Sequence, residues 1–330
     1  MRHQRIALAT AAIATAVIGL SGCSVPDGAP AASGGGGGEP GSTLLGIVTI
    51  SATDANNARV IAGATEAAEA AGWTVEVIDA QGNADQANTA ITNFVNKDAG
   101  MIFDLVFPAS SLGAGLAAAA GAGIPVATWG GGEGTGVTLS VGAGAPFAEP
   151  ATQALIDDME GEGSVLALTY RTGQVCRDRE TLFDEMLADH PDIQVTKNEV
   201  GIPGFLQDGA DYATAWLAAH PEGSGNLAVW GCWEDPTLGA ISALKQQGRT
   251  DVLTYGINGS STAIAAVQDG SLTATVYEDA TLEGRTMFEK TLEAIEDGTI
   301  TESQVIDVPG VLVTSDTIDA FLEEHPEALE

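Results

Sequence analysis

Positive charge is scarce in this chain: 12 Lys and Arg stand against 45 Asp and Glu, a formal charge of -33. Lys occurs only at positions 97, 197, 245 and 290. A surface this acidic does not suit a nucleic-acid backbone, which needs clustered Lys and Arg to displace counterions. It favours solubility, but carboxylates spread over helix faces identify no ligand by themselves. Histidine is also rare, and His190, His220 and His325 each precede a proline at an expected helix end, where they read as stop signals. No spacing of His, Cys and carboxylates suggests a metal site. There is no Gly-x-Ser-x-Gly elbow. The run Gly130-Gly131-Gly132 is followed by no Lys and precedes a strand, so it is not a phosphate-binding loop. Gly113-Ala-Gly115-Leu-Ala-Ala118 superficially fits a dinucleotide fingerprint but lies inside a helical run, where small residues serve close packing. No cofactor is therefore expected. After Ser42 every apolar run is short and broken by Gly, Pro or charge, which excludes a further membrane span there. Three cysteines occur, at 23, 176 and 232. The latter two are either bridged or buried as free thiols.

The N-terminal stretch is informative by contrast. Arg2 and Arg5 precede an apolar core from Ile6 to Leu20, then Leu20-Ser21-Gly22-Cys23. That order is a secretory signal rather than part of a fold, and it is too short to span as a stable helix. It resembles a bacterial lipoprotein signal, which implies cleavage of residues 1–22 and a lipid on Cys23, so that the protein is anchored to the membrane from outside the cytoplasm. A soluble export signal is the alternative. Residues 23–42, with five glycines from Gly34 to Gly38, read as a flexible tether.

From Leu44 onward, short β-rich apolar runs alternate with Ala-rich helical segments, the pattern of βαβ units and parallel sheets. Strands are expected at 44–50, 74–79, 101–107, 125–129 and 137–141. After a break they follow at 164–169, 195–200, 227–231, 252–257 and 273–277. Between the later strands, helices are expected over 177–189, 208–219, 236–247, 260–268 and 282–297. In such sheets ligands sit beyond the C-terminal strand ends. Two sheets facing each other make a cleft.

The order and spacing of several segments now carry a resemblance. Gly46-Ile-Val-Thr-Ile-Ser-Ala-Thr-Asp-Ala-Asn56, Ala71-Gly-Trp-Thr-Val-Glu-Val-Ile-Asp-Ala-Gln-Gly82, Gly123-Ile-Pro-Val126, Arg177-Asp-Arg-Glu-Thr-Leu-Phe183, Leu238-Gly-Ala-Ile-Ser-Ala-Leu244 and Tyr255-Gly-Ile-Asn-Gly259 resemble the type I periplasmic substrate-binding proteins. The branch is the ribose-binding one that serves sugar ABC transporters. The resemblance implies an α/β fold of two Rossmann-like parallel-sheet domains with flavodoxin-like strand order 2-1-3-4-5, a three-crossover hinge and a ligand cleft between them. It also implies crossovers near Ala143, Glu278 and Val308. One lobe is then 43–143 plus 279–308, and the other 144–278 plus 309–330.

By the same resemblance Ser51, Thr53, Asp54 and Asn56 meet ligand, although Asp54 or Asn56 would serve equally as the cap of the next helix. Arg179 matches an arginine that reaches the ligand, its fork suited to paired oxygens. Arg177 or Arg179 pairing with a carboxylate is the alternative. Trp233 stacks on a ring or serves the core. Phe205 lies near a ring-stacking position, and Asn258 and Glu278 match a sugar-contacting carboxylate and a crossover amide, both with changed chemistry. At Thr128-Trp129-Gly130 the family's adjacent Asp and Arg are missing, so Trp129 and a glycine loop offer an aromatic surface and room. That points to a bulkier or less hydroxylated ligand: a glycoside, a sugar derivative or a nucleoside. Cys176 and Cys232 fall beyond neighbouring strands, which permits a disulfide.

The expected function is solute capture for an ABC permease by a monomeric, non-enzymatic lipoprotein whose lobes close on a small sugar-like molecule. A binding protein reporting to a membrane sensor reads the same way. A surface glycosidase using Asp54 and Glu278 is the enzymatic alternative.

Overall fold

The computed structural model describes residues 42–299 and 303–329. The expected signal, the Cys23 lipidation and the tether up to residue 41 lie outside them. In chain order the first elements are β1 (Leu44–Thr49), α1 (Ala55–Ala70), β2 (Thr74–Asp79), α2 (Ala84–Asn96), β3 (Met101–Leu105), α3 (Gly113–Ala122), β4 (Val126–Trp129) and β5 (Val137–Gly142). Next come α4 (Ala145–Asp158), β6 (Gly163–Thr169), α5 (Gln174–Leu187), β7 (Ile193–Glu199), α6 (Phe205–Ala219), β8 (Leu227–Gly231), α7 (Glu234–Gln247), β9 (Val252–Asn258), α8 (Ser261–Gln268) and β10 (Ala274–Tyr277). The last are α9 (Ala280–Glu296), β11 (Gln304–Asp307), β12 (Val311–Thr314) and α10 (Ile318–Glu324).

The strands form two six-stranded sheets, ordered β2-β1-β3-β4-β5-β11 and β7-β6-β8-β9-β10-β12. Pairing is parallel except where β12 runs antiparallel to β10. Both sheets thus contain the expected 2-1-3-4-5 order, each with one strand added at the end. Helices cover both faces of a parallel sheet, so its inner strands are apolar throughout. β3 and β8 are buried at every residue. The chain passes between the sheets three times: after β5, after β10 and between β11 and β12.

Helix starts follow side-chain chemistry. Asp54 caps α1 by accepting from Asn57 N, Asn83 caps α2, Ser260 caps α8 and Asp279 caps α9. Beside each sheet one helix pair is brought close through glycines. A Cβ on Gly63 would sit 1.9 Å from the Thr281 carbonyl oxygen, and one on Gly239 2.1 Å from that of Leu206. These contacts lock α9 to α1 and α7 to α6, which fixes the N-terminal turns that carry the site.

Several boundaries differ from expectation. β3 ends at Leu105 rather than 107, because Val106 turns to φ 79. α7 starts at Glu234, two residues before Pro236, and the carboxylates of Glu234 and Asp235 occupy its electropositive first turn. α5 and α6 each begin three residues earlier than expected. Helix α4 was not anticipated: Pro146 and Pro150 interrupt its pattern, yet Pro146 sits in the first turn, where its missing N–H costs nothing.

Candidate functional site

The ends of β1, β3 and β4 on one sheet and of β6, β8 and β9 on the other face a cavity. Five residues singled out from the sequence line it: Asp54, Trp129, Arg179, Trp233 and Asn258. Ile50, Asn57, Val106, Tyr170, Val175, Cys176 and Ile202 complete the wall.

The other five candidates lie around it rather than in it. Ser51 is buried, and its hydroxyl lies 3.1 Å from that of Thr53, which is exposed. Asn56 turns away from the cavity and donates through Nδ2 to Glu278 Oε1, tying α1 to the crossover after β10. Phe205 backs the cavity wall, edge-on to Trp233 with ring centroids 5.7 Å apart.

Trp233 is packed from both sides, since Tyr170 also meets it edge-on at 5.9 Å. Its Nε1 has no partner among the described residues. Trp129 is held differently: its Nε1 donates to Glu283 Oε2 at 2.5 Å. Two indoles therefore stand in the wall, one from each sheet, and both are rigid. The glycines after Trp129 do not provide room. A Cβ on Gly131 would lie 2.5 Å from Asp104 Oδ2, and one on Gly130 2.6 Å from Val175 Cγ1. Gly130 and Gly131 are glycines because other atoms already occupy that space, while Gly132 is at φ 75, so the expectation of an open loop is corrected at the first two positions.

Arg179 is only 1 % exposed. Nε and Nη2 both donate to the Ala143 carbonyl, at 2.9 and 2.6 Å, and Nη1 donates to Cys232 O at 2.8 Å and Asn258 Oδ1 at 2.9 Å. The fork thus grips the crossover after β5 and two strand ends of the second sheet. It leaves little donor capacity for a ligand. Burial lowers its pKa from the usual guanidinium value, with Glu278 and Glu234 opposing. Cys176, in the first turn of α5, is disulfide-bonded to Cys232.

Five carboxylates cluster here: Asp54 in the wall, and Glu234, Asp235, Glu278 and Glu283 behind it. Burial pushes Glu234 and Glu278 up to about 7 and Asp235 up to about 8. Burial, with Glu278 nearby, pushes Glu283 up to about 9. Asp54 is also raised by burial. Arg59 from α1 donates to Asn56 Oδ1 and to the Asn258 carbonyl. Asn57, Arg59, Tyr170, Glu234 and Glu283 escaped the sequence reading. Asn57 and Glu234 adjoin candidates, which was a usable signal, whereas Glu283 lies 154 residues from its partner Trp129. No group of three or more His, Cys, Asp or Glu positioned for a metal occurs among the described residues.

A family model described as Periplasmic binding protein domain matches residues 45–300. The xylitol-binding protein of Mycolicibacterium smegmatis is 26% identical over 224 residues, covering 63% of this chain and 60% of that protein. The chain thus spans less than two thirds of that relative's length. The Ribose import binding protein RbsB of Bacillus subtilis is 24% identical, over 68% of this chain and 72% of that one. Among solved structures, an ABC transporter solute binding protein from Agrobacterium vitis with bound allitol shares the fold with a TM-score of 0.79. It is 22% identical and covers 87% of this chain and 100% of that chain.

Proposed function

The chain belongs to the periplasmic binding protein domain family, and from that premise we propose that it captures a small polyhydroxylated solute and delivers it to an ABC permease. It acts as a binder, not an enzyme. The observation that carries this reading is the cavity itself, enclosed by strand ends of two sheets that only three chain connections join. Two packed indoles offer apolar surface to C–H groups, while Asp54 and Asn57 offer acceptors for hydroxyls. The names of relatives that bind xylitol and allitol support the polyol class.

In this reading the three connections are the hinge, placed near Ala143, Glu278 and Val308. Ligand favours the closed form only through contacts that the open form lacks. Trp129 and Asp54 contribute from one lobe and Trp233 from the other, where Arg179 holds Asn258 and the strand ends in place. Ser51, Thr53, Asn56, Phe205 and Glu278 shape and tie the site. Leu20-Ser21-Gly22-Cys23 supports anchoring by a lipid on Cys23 outside the cytoplasm, with the protein working as a monomer. A thermal-shift screen of the purified protein against pentitols, hexitols, cyclitols, aldoses and nucleosides tests the proposal, because a ligand of the native state raises its melting temperature. One polyhydroxylated class should stand out. A shift with nucleosides alone, or with none of these, contradicts the assignment.

A further inference from the structure

We propose that the solute of this cavity is cationic: an amino sugar, amino polyol or aminocyclitol whose ammonium group is held by Asp54 and Asn57 between Trp129 and Trp233. The inference deepens the reading of the cleft as a solute site and rests on it.

Charge around the cavity does not balance. The N-terminal part of α1 contributes Asp54 and Arg59, and α5 contributes Arg179. The first turn of α7 contributes Glu234 and Asp235, and the crossover into α9 contributes Glu278, Asp279 and Glu283. Neither guanidinium hydrogen-bonds these carboxylates, although both lie near enough to favour their ionised forms. Arg59 donates to an amide oxygen and a carbonyl, and Arg179 to two carbonyls and an amide oxygen. Buried carboxylate oxygens are left over: Glu234 Oε2, Glu278 Oε2 and Glu283 Oε1 have no hydrogen-bond partner among the described residues.

A second, separate observation lies in the cavity wall. Asn57 is 2 % exposed and lines the cavity. Its Nδ2 is turned back to the Ser51 carbonyl at 3.0 Å, so Oδ1 is the free end of the amide, and it has no partner. Beside it Asp54 uses Oδ1 to cap Asn57 N at 2.9 Å. An unpartnered buried acceptor calls for a donor. An ammonium supplies three donors and the charge that the surrounding carboxylates lack. Aromatic rings suit the same guest, since indole is the best partner for a cation over its face.

A neutral polyol can donate hydroxyl protons to Asp54 and Asn57 but brings no charge that would favour ionisation of the cluster. Without a cation, burial keeps much of the cluster protonated near neutral pH. Entry of an ammonium favours ionisation, so binding releases protons. This consequence separates charge recognition from mere shape.

Isothermal titration of the purified protein at pH 7.5 with matched pairs tests the proposal: sorbitol against glucamine, glucose against glucosamine, and myo-inositol against its monoamino analogue. The amine of at least one pair should bind about tenfold tighter or more, equivalent to ~1.4 kcal/mol. Its apparent enthalpy should vary with the ionisation enthalpy of the buffer as protons leave. Asp54→Asn keeps the helix cap, because Asn caps as well as Asp, and should abolish the preference. If that variant does not fold, Glu234→Gln serves, and should reduce the proton release. Equal or tighter binding of every neutral partner overturns the cationic assignment while leaving solute capture standing. Failure of both members of every pair to bind a protein that melts cooperatively overturns both readings.

Discussion

Nη2 of Arg59, on α1, lies 3.0 Å from the carbonyl oxygen of Asn258, at the end of β9. The side chain of the same asparagine accepts from Arg179 at 2.9 Å. One residue therefore holds two guanidinium groups and links an element of the first sheet's layer to the second sheet. Asn258 sits at φ 112, a conformation that asparagine tolerates better than most residues. Asn258→Ala should cost about 1.5–3 kcal/mol of stability, the worth of a hydrogen bond to a charged group, and should weaken solute binding. Asn258→Gly lacks the same acceptor but fits the backbone, so it should be the less destabilised of the two. Urea denaturation of both variants checks the order.

Arg179→Lys retains the charge and loses the fork. Lysine cannot donate to the Ala143 carbonyl from two nitrogens while also meeting Cys232 O and Asn258 Oδ1. A loss of about 1.5–3 kcal/mol is expected, the worth of a hydrogen bond to a charged group. The measurement is the denaturation midpoint, with solute titration of the variant at a temperature where it remains folded.

Stability should fall as pH rises from 5 to 9. Glu234, Asp235, Glu278 and Glu283 are pushed up by burial to about 7, 8, 7 and 9, above the ordinary carboxylate range. Between those limits the native state holds protons that the unfolded chain has released, so unfolding gains as protons become scarce. The contribution is complete below about pH 4 and is lost as pH passes through 7 to 9. Self-repulsion of a chain with formal charge -33 acts in the same direction. Glu283→Gln should flatten the slope of melting temperature against pH, and a saturating cationic solute should flatten it further.

Removing the disulfide by Cys176→Ala with Cys232→Ala opens a loop of 56-residue separation. The chain-entropy model puts the loss at about 4 kcal/mol. Cys176 also lines the cavity, and Cys232 O is an acceptor of Arg179. Binding should therefore weaken even where the double variant is folded. Calorimetric melting paired with solute titration separates the two effects.

Much of the fold was legible because buried parallel strands such as Leu227–Gly231 read as unbroken apolar runs between Ala-rich helices. Helix α4 was hidden by Pro150, whose tolerance within the helix no local pattern announces. Within the site, the resemblance led to Asp54, Trp129, Arg179, Trp233 and Asn258, all of which line the cavity. Asn56 and Glu278 instead face each other, 222 residues apart, a pairing that only the third dimension supplies. Glu283 was invisible for the same reason: on a helical wheel it is one more acidic residue, and only the packing of α9 against β4 and β5 brings it to Trp129.

The central claim is that two lobes close on a solute held between them. Small-angle X-ray scattering of the purified protein, with and without a saturating amount of the solute that gives the largest thermal shift, tests it most directly. A reproducible decrease in radius of gyration on binding is the predicted result. An unchanged radius at full saturation would contradict the account, because the solute would then be bound without moving the lobes.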